Sequence, residues 1–214
     1  MKKIITLIPV CLITGILYAQ TIIEKSFEFN QKESVSLNIQ IADSIKVIPW
    51  DKNEVSLWAS VNVNDNKDND HYKWTFDNSD NAIRISSEMD DYLKNSSNNR
   101  NCCCNNIEVY CELHIPANAR LSIETINGDL IFTGSPKELH AKTISGFIDL
   151  TAPGNLKADM DFKTVTGTIY TNFALNTGTP KRSVTTDFST SLNGGGNPVN
   201  LETISGNIYL RKAK

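Results

Sequence analysis

The chain has 214 residues, of which 40% are hydrophobic and 21% charged, so it is long enough to bury a core as one elongated domain or two small ones. Its formal net charge is −3, from 24 acidic and 21 basic side chains. This mildly acidic balance argues against a nucleic-acid partner, which calls for a strong basic excess.

Residues 1–19 are predicted to be a secretory signal peptide. Two lysines follow the first methionine, an apolar run spans residues 4–16, and Leu-Tyr-Ala at 17–19 suits cleavage. Cys11 is a poor site for lipid attachment because Pro9 and Val10 precede it and apolar residues continue beyond it. The run is too short to span a bilayer. We therefore expect an exported protein of the periplasm, cell surface or medium, with no transmembrane anchor after cleavage.

Residues 20–116 are predicted to form an N-terminal β region. Between residues 27 and 63 the apolar side chains share one parity, which indicates amphipathic strands. Turn signals at 30–32, 42–44 and 49–53 divide this run, so we expect strands that pair antiparallel where the turns are short. Two more short strands are predicted further on, near residues 73–76 and 82–86. The region is a candidate cap, because a stack of strands has to protect its ends.

Two polar loops interrupt this region. Residues 64–70 alternate oxygen-bearing side chains like half of a calcium loop, but the glycine and closing glutamate of such a loop are missing, which favours an ordinary solvated turn. Residues 90–101 are rich in Asn and Ser and are typical of a surface loop.

Four cysteines follow that loop and suggest a disulfide in an exported chain: Cys102, Cys103, Cys104 and Cys111. We expect Cys111 to pair with one of the other three. A metal site is disfavoured, because adjacent cysteines rarely converge on one tetrahedral zinc and His114 has the opposite strand parity to Cys111.

Residues 117–214 repeat a four-residue phrase, made of Thr, then Ile or Val, then a small polar residue, then Gly. The copies end at Gly128, Gly146, Gly167 and Gly206. A weak copy ending at Thr186 would divide the longest gap and give a period of 18 to 21 residues. Self-similarity of this period is typical of stacked repeats.

Aligned on the glycines, apolar residues recur seven and five positions before Gly and two positions after it. This alternation indicates strands with one buried face, and its change of phase at the phrase indicates a corner, where Gly accepts unusual backbone angles. We therefore predict an all-β chain whose strand–corner–strand units stack as a β-solenoid, like a β-helix. Antiparallel hairpins are the alternative, because Asn127-Gly128 is a strong hairpin signal.

The position four before each glycine is charged in every copy, the weak one included. In chain order it holds Glu124, Lys142, Lys163, Arg182 and Glu202. Strands about 4.8 Å apart would bring three cations together, which is unfavourable unless an anion offsets them. Lys142, Lys163 and Arg182 are therefore candidate ligand-binding residues for an anionic partner. The alternative is a solvated outer face with cations as edge protection.

The order of these motifs resembles the bacterial putative adhesin family, exported proteins with a β-strand-repeat domain of unknown function. The motifs are Val-Ile-Pro-Trp-Asp-Lys-Asn-Glu-Val at 47–55, Leu-His-Ile-Pro-Ala-Asn-Ala-Arg-Leu at 113–121, and the Thr-x-Ser/Asn-Gly repeats. The resemblance implies an elongated β-solenoid-like fold and an envelope or surface location, and it implies no established activity. The weak fourth copy and the cysteine triplet depart from the pattern.

Catalytic motifs are missing from the sequence. The histidines His71, His114 and His140 are scattered, and no nucleophile elbow, zinc-protease or phosphate-loop motif occurs. We expect a non-enzymatic protein with no catalytic residues, metal or cofactor. The leading hypothesis is a long face that binds an envelope polymer or a protein partner. The alternatives are a structural protein that associates with itself and a carbohydrate-active enzyme.

Overall fold

A computed structural model describes residues 20–29, 34–79, 81–93, 106–134, 137–175 and 186–213. The strands within these ranges are β1 (Thr21–Glu28), β2 (Ser34–Trp50), β3 (Glu54–Val63), β4 (Tyr72–Ser79), β5 (Ala82–Met89), β6 (Ile107–Pro116), β7 (Arg120–Thr133), β8 (Glu138–Ser145), β9 (Ile148–Ala152), β10 (Ala158–Thr164), β11 (Ile169–Thr171), β12 (Thr186–Leu192), β13 (Asn197–Ser205) and β14 (Ile208–Lys212). They join into one open mixed sheet, so the all-β prediction is confirmed.

Five predicted features lie wholly or mostly outside the described ranges: the signal peptide, the turn at 30–32, the loop at 90–101, the triplet Cys102, Cys103 and Cys104, and Arg182. Within those ranges, no helix has the length and apolar character needed to cross a membrane. A single 3-10 turn, Asn69–His71, lies between β3 and β4 in the described part of the chain.

The four glycine repeats build two arms of parallel strands that meet at the glycine corners. In the first arm, β7, β8, β13 and β10 lie side by side. Their register is the one that the glycine alignment predicts, since Glu124 pairs with Lys142 and Glu202 pairs with both Lys142 and Lys163. In the second arm, the end of β7 is followed by β9, β14 and β11. Parallel pairing excludes the antiparallel hairpin alternative for these repeats.

The spatial order of the repeats differs from their order along the chain. A stack in chain order would place β10 next to β8, but β13 of the last repeat lies between them. Val199 and Leu201 of β13 are fully buried there and continue the apolar columns of the neighbouring strands. The strands thus form one open sheet rather than a regular stack in chain order, and a complete solenoid stays a prediction.

The weak copy ending at Thr186 was predicted to be a further parallel unit, and this is wrong. Thr186 begins β12, which pairs antiparallel with β10 at the edge of the sheet. Phe188 stacks on Phe162, with ring centroids 5.1 Å apart, instead of joining the column of Ile169. Antiparallel pairing sets Thr186 opposite Thr164 and outside any corner. A Cβ at Gly167 or Gly206 would overlap a neighbouring carbonyl, so a threonine does not suit a corner packed as closely as these two.

The corners are closed by a buried threonine and a glycine. The Oγ1 of Thr143 donates a hydrogen bond to the carbonyl of Gly128 at 3.1 Å, and Thr203 and Thr164 make the same bond to the next corner along the sheet. A Cβ added at Gly146 would overlap the carbonyl oxygen of Gly128. The phrase Thr-x-x-Gly therefore lets neighbouring corners approach closely while the threonine satisfies a buried carbonyl.

The N-terminal region supplies a parallel unit that the sequence prediction missed. β2 is one 17-residue strand, and the turn predicted at 42–44 is a bulge within it, where the register against β7 shifts between Ile41 and Ser44. β2 pairs parallel with β7 along both arms, and Ala42 lies against Gly128 at the corner. This strand therefore extends the stack of repeats with an alanine corner.

The remaining strands extend the sheet beyond β2. β6 pairs parallel with β2 and antiparallel with β3, and β1 pairs antiparallel with β3. β5 pairs parallel with β2 and antiparallel with β4, so both short strands predicted there are confirmed. One hydrophobic cluster runs through both regions. The division into regions 20–116 and 117–214 stays a prediction.

We expect the substitution Gly206→Ala to lower the free energy of unfolding by about 2 kcal/mol. The added Cβ would overlap the carbonyl oxygen of Gly146 in the neighbouring corner. Gly154→Ala is the matched control: its Cβ would come no closer than 3.8 Å to the Cδ of Lys212, so a change within about 0.5 kcal/mol is expected. Urea unfolding measures both, and equal losses would contradict this description of the corners.

Candidate binding face

A row of alternating charges crosses the outer side of the first arm, and we call it the charged row. In spatial order it holds Glu124, Lys142, Glu202 and Lys163. The Oε1 of Glu202 lies 3.7 Å from the Nζ of Lys142 and 3.3 Å from the Nζ of Lys163. One carboxylate therefore bridges the two lysines.

The charged row corrects the predicted group of three adjacent cations. Because β13 lies between β8 and β10, Glu202 separates Lys142 from Lys163 and offsets their charge. Arg182 lies outside the described residues. Ligand binding by these three residues stays a prediction, now without the unbalanced positive charge that motivated it.

The ion pairs of the charged row specify strand neighbours more than they stabilise the fold. The lysine side chains are 39% and 47% exposed, and that of Glu202 is 19% exposed. Exposed pairs of this kind contribute roughly 0.2–1 kcal/mol each. A like charge in place of Glu202 would face a lysine on both sides, so the alternation disfavours other strand orders.

Three isoleucines form a second exposed row beside the charged row, and we call it the isoleucine row. Ile126, Ile144 and Ile204 are 50%, 41% and 39% exposed and occupy neighbouring strands in register. Just beyond the end of β10, the half-buried Val165 holds the same place in its phrase. Single exposed apolar residues are ordinary, but large apolar side chains aligned across adjacent strands are typical of an interaction surface. The two rows together are called the first-arm face below.

The outer side of the second arm carries aromatic side chains. Tyr170 stacks on Tyr209 with ring centroids 5.2 Å apart, and Phe147 meets Tyr209 edge-on at 5.9 Å. The guanidinium of Arg211 lies over the Tyr209 ring and pairs with Asp149 at 3.1 Å. Burial raises the pKa of the Asp149 carboxyl, and Arg211 partly opposes this. These contacts hold the aromatic rings together on the surface.

The histidines are not brought together by the fold. His71 contacts Asp90 at 2.8 Å, and this hydrogen bond lowers the pKa of the carboxyl. His114 packs on Trp50 with ring centroids 4.9 Å apart, and His140 lies on the outer side of the first arm. No group of three His, Cys, Asp or Glu side chains within the described ranges could hold a metal ion.

The loop that resembles half of a calcium site is held by its own hydrogen bonds. Asn64, Asp65 and Asn66 all have positive φ angles, near 51°, 57° and 64°. The Oδ1 of Asn69 accepts a hydrogen bond from the backbone of Val63 at 2.7 Å. These contacts fit the predicted turn.

Cys111 is a buried free thiol, so the predicted disulfide is not found. Its side chain points from β6 into the hydrophobic core, as its parity predicts, and burial raises the pKa of the thiol to about 12. A neutral, enclosed sulfur packs as a small apolar group and is poorly reactive.

Solved structures align with most of this chain at low sequence identity. A putative cell adhesion protein from Clostridium sporogenes aligns with 91% of this chain and 100% of its own, with a TM-score of 0.59 and 11% identity. A putative adhesin from Bacteroides fragilis aligns with 93% of this chain and 100% of its own, with a TM-score of 0.35 and 11% identity. A putative lipid binding protein from Parabacteroides distasonis aligns with 90% and 97% of the two chains, with a TM-score of 0.26 and 10% identity.

The Clostridium sporogenes protein is similar enough to show a common fold, and the other two TM-scores are too low to add to it. No protein-family model and no curated protein matches the chain. At 11% identity, the Clostridium sporogenes protein shows the fold alone.

We expect Glu202→Gln to lower the free energy of unfolding by about 1 kcal/mol at low salt, because Lys142 and Lys163 lose the carboxylate that they share. The loss should shrink at about 1 M salt, where exposed charges are screened. Asp77→Asn, which breaks the single exposed pair with Arg84, should cause a smaller loss. Urea unfolding at both salt concentrations checks this, and a loss independent of salt would contradict a shared ion pair.

We expect Cys111 to resist alkylation in the native protein at pH 8 and to react fully after unfolding without reductant, because its thiol is buried and protonated. Peptide mass spectrometry after iodoacetamide treatment measures this residue separately from the other cysteines. Recovery of Cys111 in a disulfide-linked peptide would contradict the free thiol.

Proposed function

We propose that this chain is a non-enzymatic, exported protein of the bacterial envelope or surface that acts by binding, as an adhesin does. Its repeats stack in a solenoid-like unit, and the first-arm face contacts the partner, an envelope polymer or a protein. The observation that carries this proposal is the isoleucine row, which exposes Ile126, Ile144 and Ile204 side by side with no covering segment in the described residues.

The shape of the face supports a large partner. Small-molecule sites are concave and bury most of their ligand, whereas the first-arm face is one side of a sheet with its side chains repeated at each strand. Side chains spaced about 4.8 Å apart suit an extended or flat partner. The fold shared with a protein described as a putative cell adhesion protein is consistent with this role.

An anionic envelope polymer remains part of the proposal. The ammonium groups of Lys142 and Lys163 stay substantially exposed while they contact Glu202, so they can also bind an acidic group from outside. Arg182 is included on its sequence position alone. Reversal of all three charges separates this contact from binding by the isoleucine row.

Co-sedimentation with separated envelope fractions tests the proposal. Residues 20–214 are mixed with peptidoglycan, outer-membrane vesicles or surface polysaccharide. The unsubstituted chain should bind one fraction saturably, and a variant with Ile126→Ser, Ile144→Ser and Ile204→Ser should bind at least about tenfold more weakly, because it loses the exposed apolar contact.

The matched control carries Ile22→Ser, Trp58→Ser and Tyr110→Ser, three similarly exposed apolar residues on β1, β3 and β6. This variant should bind like the unsubstituted chain. Equal losses in both variants would remove the first-arm face from the proposal, and the lack of binding to every fraction would count against an envelope polymer as the partner.

A further inference from the structure

We propose that a second copy of this chain is the partner of the first-arm face, bound face to face about a two-fold axis. The axis runs parallel to the strands, between β8 and β13. This inference rests on the proposed binding role of the face and names its partner.

Six neighbouring strands define the geometry. Their order is β2, β7, β8, β13, β10 and β12, with β5 beyond β2, and the proposed axis lies at the centre of the four strands that carry the charged row. Rotation about it reverses the order of the strands but keeps positions along them, so each outward row faces the same row of the second copy in reverse. β8 then lies opposite the partner's β13, and β7 opposite the partner's β10. The strands of the two copies stay aligned, as in ordinary sheet-on-sheet packing.

The charged row is self-complementary under this rotation. Glu124 meets the partner's Lys163, and Lys142 meets the partner's Glu202. At the start of the same strands, Arg120 meets the partner's Asp159. Each contact occurs twice by symmetry, which gives six pairs of opposite charge. Because the row alternates and has four charges, opposite charges face each other only when the row of the second copy runs in the reverse order.

The uncharged rows also match. Ile144 faces the partner's Ile204, and Ile126 lies opposite the end of the partner's β10, which Val165 follows, so the isoleucine rows cover one another. His140 faces the partner's Asn200 in the adjacent polar row. Among the described outward residues of the six strands, no like charges lie opposite each other.

The charge pattern selects this axis over the perpendicular one. A two-fold axis across the strands and through the charged row would place each charged residue opposite its own copy, for example Lys142 against the partner's Lys142. Like charges placed opposite each other in an interface are unfavourable and act against that arrangement.

The size of the face indicates a weak, reversible dimer. Six strands about 4.8 Å apart and roughly seven residues long give a flat area of about 650 Å² per copy, at the lower end for specific interfaces. We therefore expect dissociation constants of about 1–100 µM. Association should weaken as salt is raised, because the ion pairs lie near solvent.

Sedimentation velocity of purified residues 20–214 over a range of concentrations measures this association. The unsubstituted chain should pass from monomer to dimer. Glu202→Lys alone and Lys142→Glu alone should each weaken dimerisation at least about tenfold, because each creates two like-charge contacts across the axis. An equimolar mixture of the two variants should form a heterodimer within about threefold of the unsubstituted affinity, because both contacts again join opposite charges.

The double variant Lys142→Glu with Glu202→Lys keeps the charges across the axis complementary, so it should dimerise with itself. Its dimerisation would show that the loss in a single variant does not come from poor folding. A chain that stays monomeric to about 0.5 mM would overturn the inference. Unchanged dimerisation of either single variant, or no recovery in the mixture, would also overturn it. Binding to an envelope fraction by a monomeric chain would leave the proposed function standing and reject the second copy as the partner.

Discussion

The structure depends on one contact, which is repeated at the three junctions between neighbouring glycine corners. The hydroxyl of a buried threonine donates to the carbonyl of the neighbouring corner, as Thr203 does to Gly146. The glycine that follows each threonine lies against a neighbouring carbonyl, where a Cβ would not fit. Leaving such a carbonyl buried without a donor would lower the free energy of unfolding by about 1–3 kcal/mol. The contact therefore holds neighbouring strands together. It also fixes their register, because the threonine of one strand has to lie beside the glycine corner of the next.

The order in which the corners join determines what the surface presents. Thr203 of the last repeat bonds to the second corner, and Thr164 bonds to the corner of the last repeat, so Glu202 comes to lie between two lysines. A row that would carry adjacent cations in chain order becomes alternating, and the isoleucines stand next to it. The proposed binding role, and the match of the face with its own reverse, both follow from this insertion.

The register was predictable from the sequence, whereas the order of the strands was not. The glycine alignment identified the paired residues because each column is apolar, polar or charged in every copy. Two phrases, at 143–146 and 203–206, are identical, so the phrases themselves do not indicate which of the two follows a given corner. The opposite charge of Glu202 was a usable signal for its place between lysines. β2 was missed because its corner has Ala42 and an extra residue, which conceal the period. Disulfide pairing was inferred from cysteine count, which does not report that Cys111 is enclosed by the core.

Carbodiimide coupling of the unmodified protein tests the insertion of β13 most directly, since this reagent joins only amines and carboxylates that are in contact. Glu202 should couple to Lys163 and Lys142 in dilute, monomeric protein, and mass spectrometry identifies the linked peptides. The contact between Lys46 and Glu112, at 3.4 Å, is the internal control. Coupling of Lys46 to Glu112 with no coupling of Glu202 to either lysine would show that the repeats stack in another order, and the account of the first-arm face would fail with it.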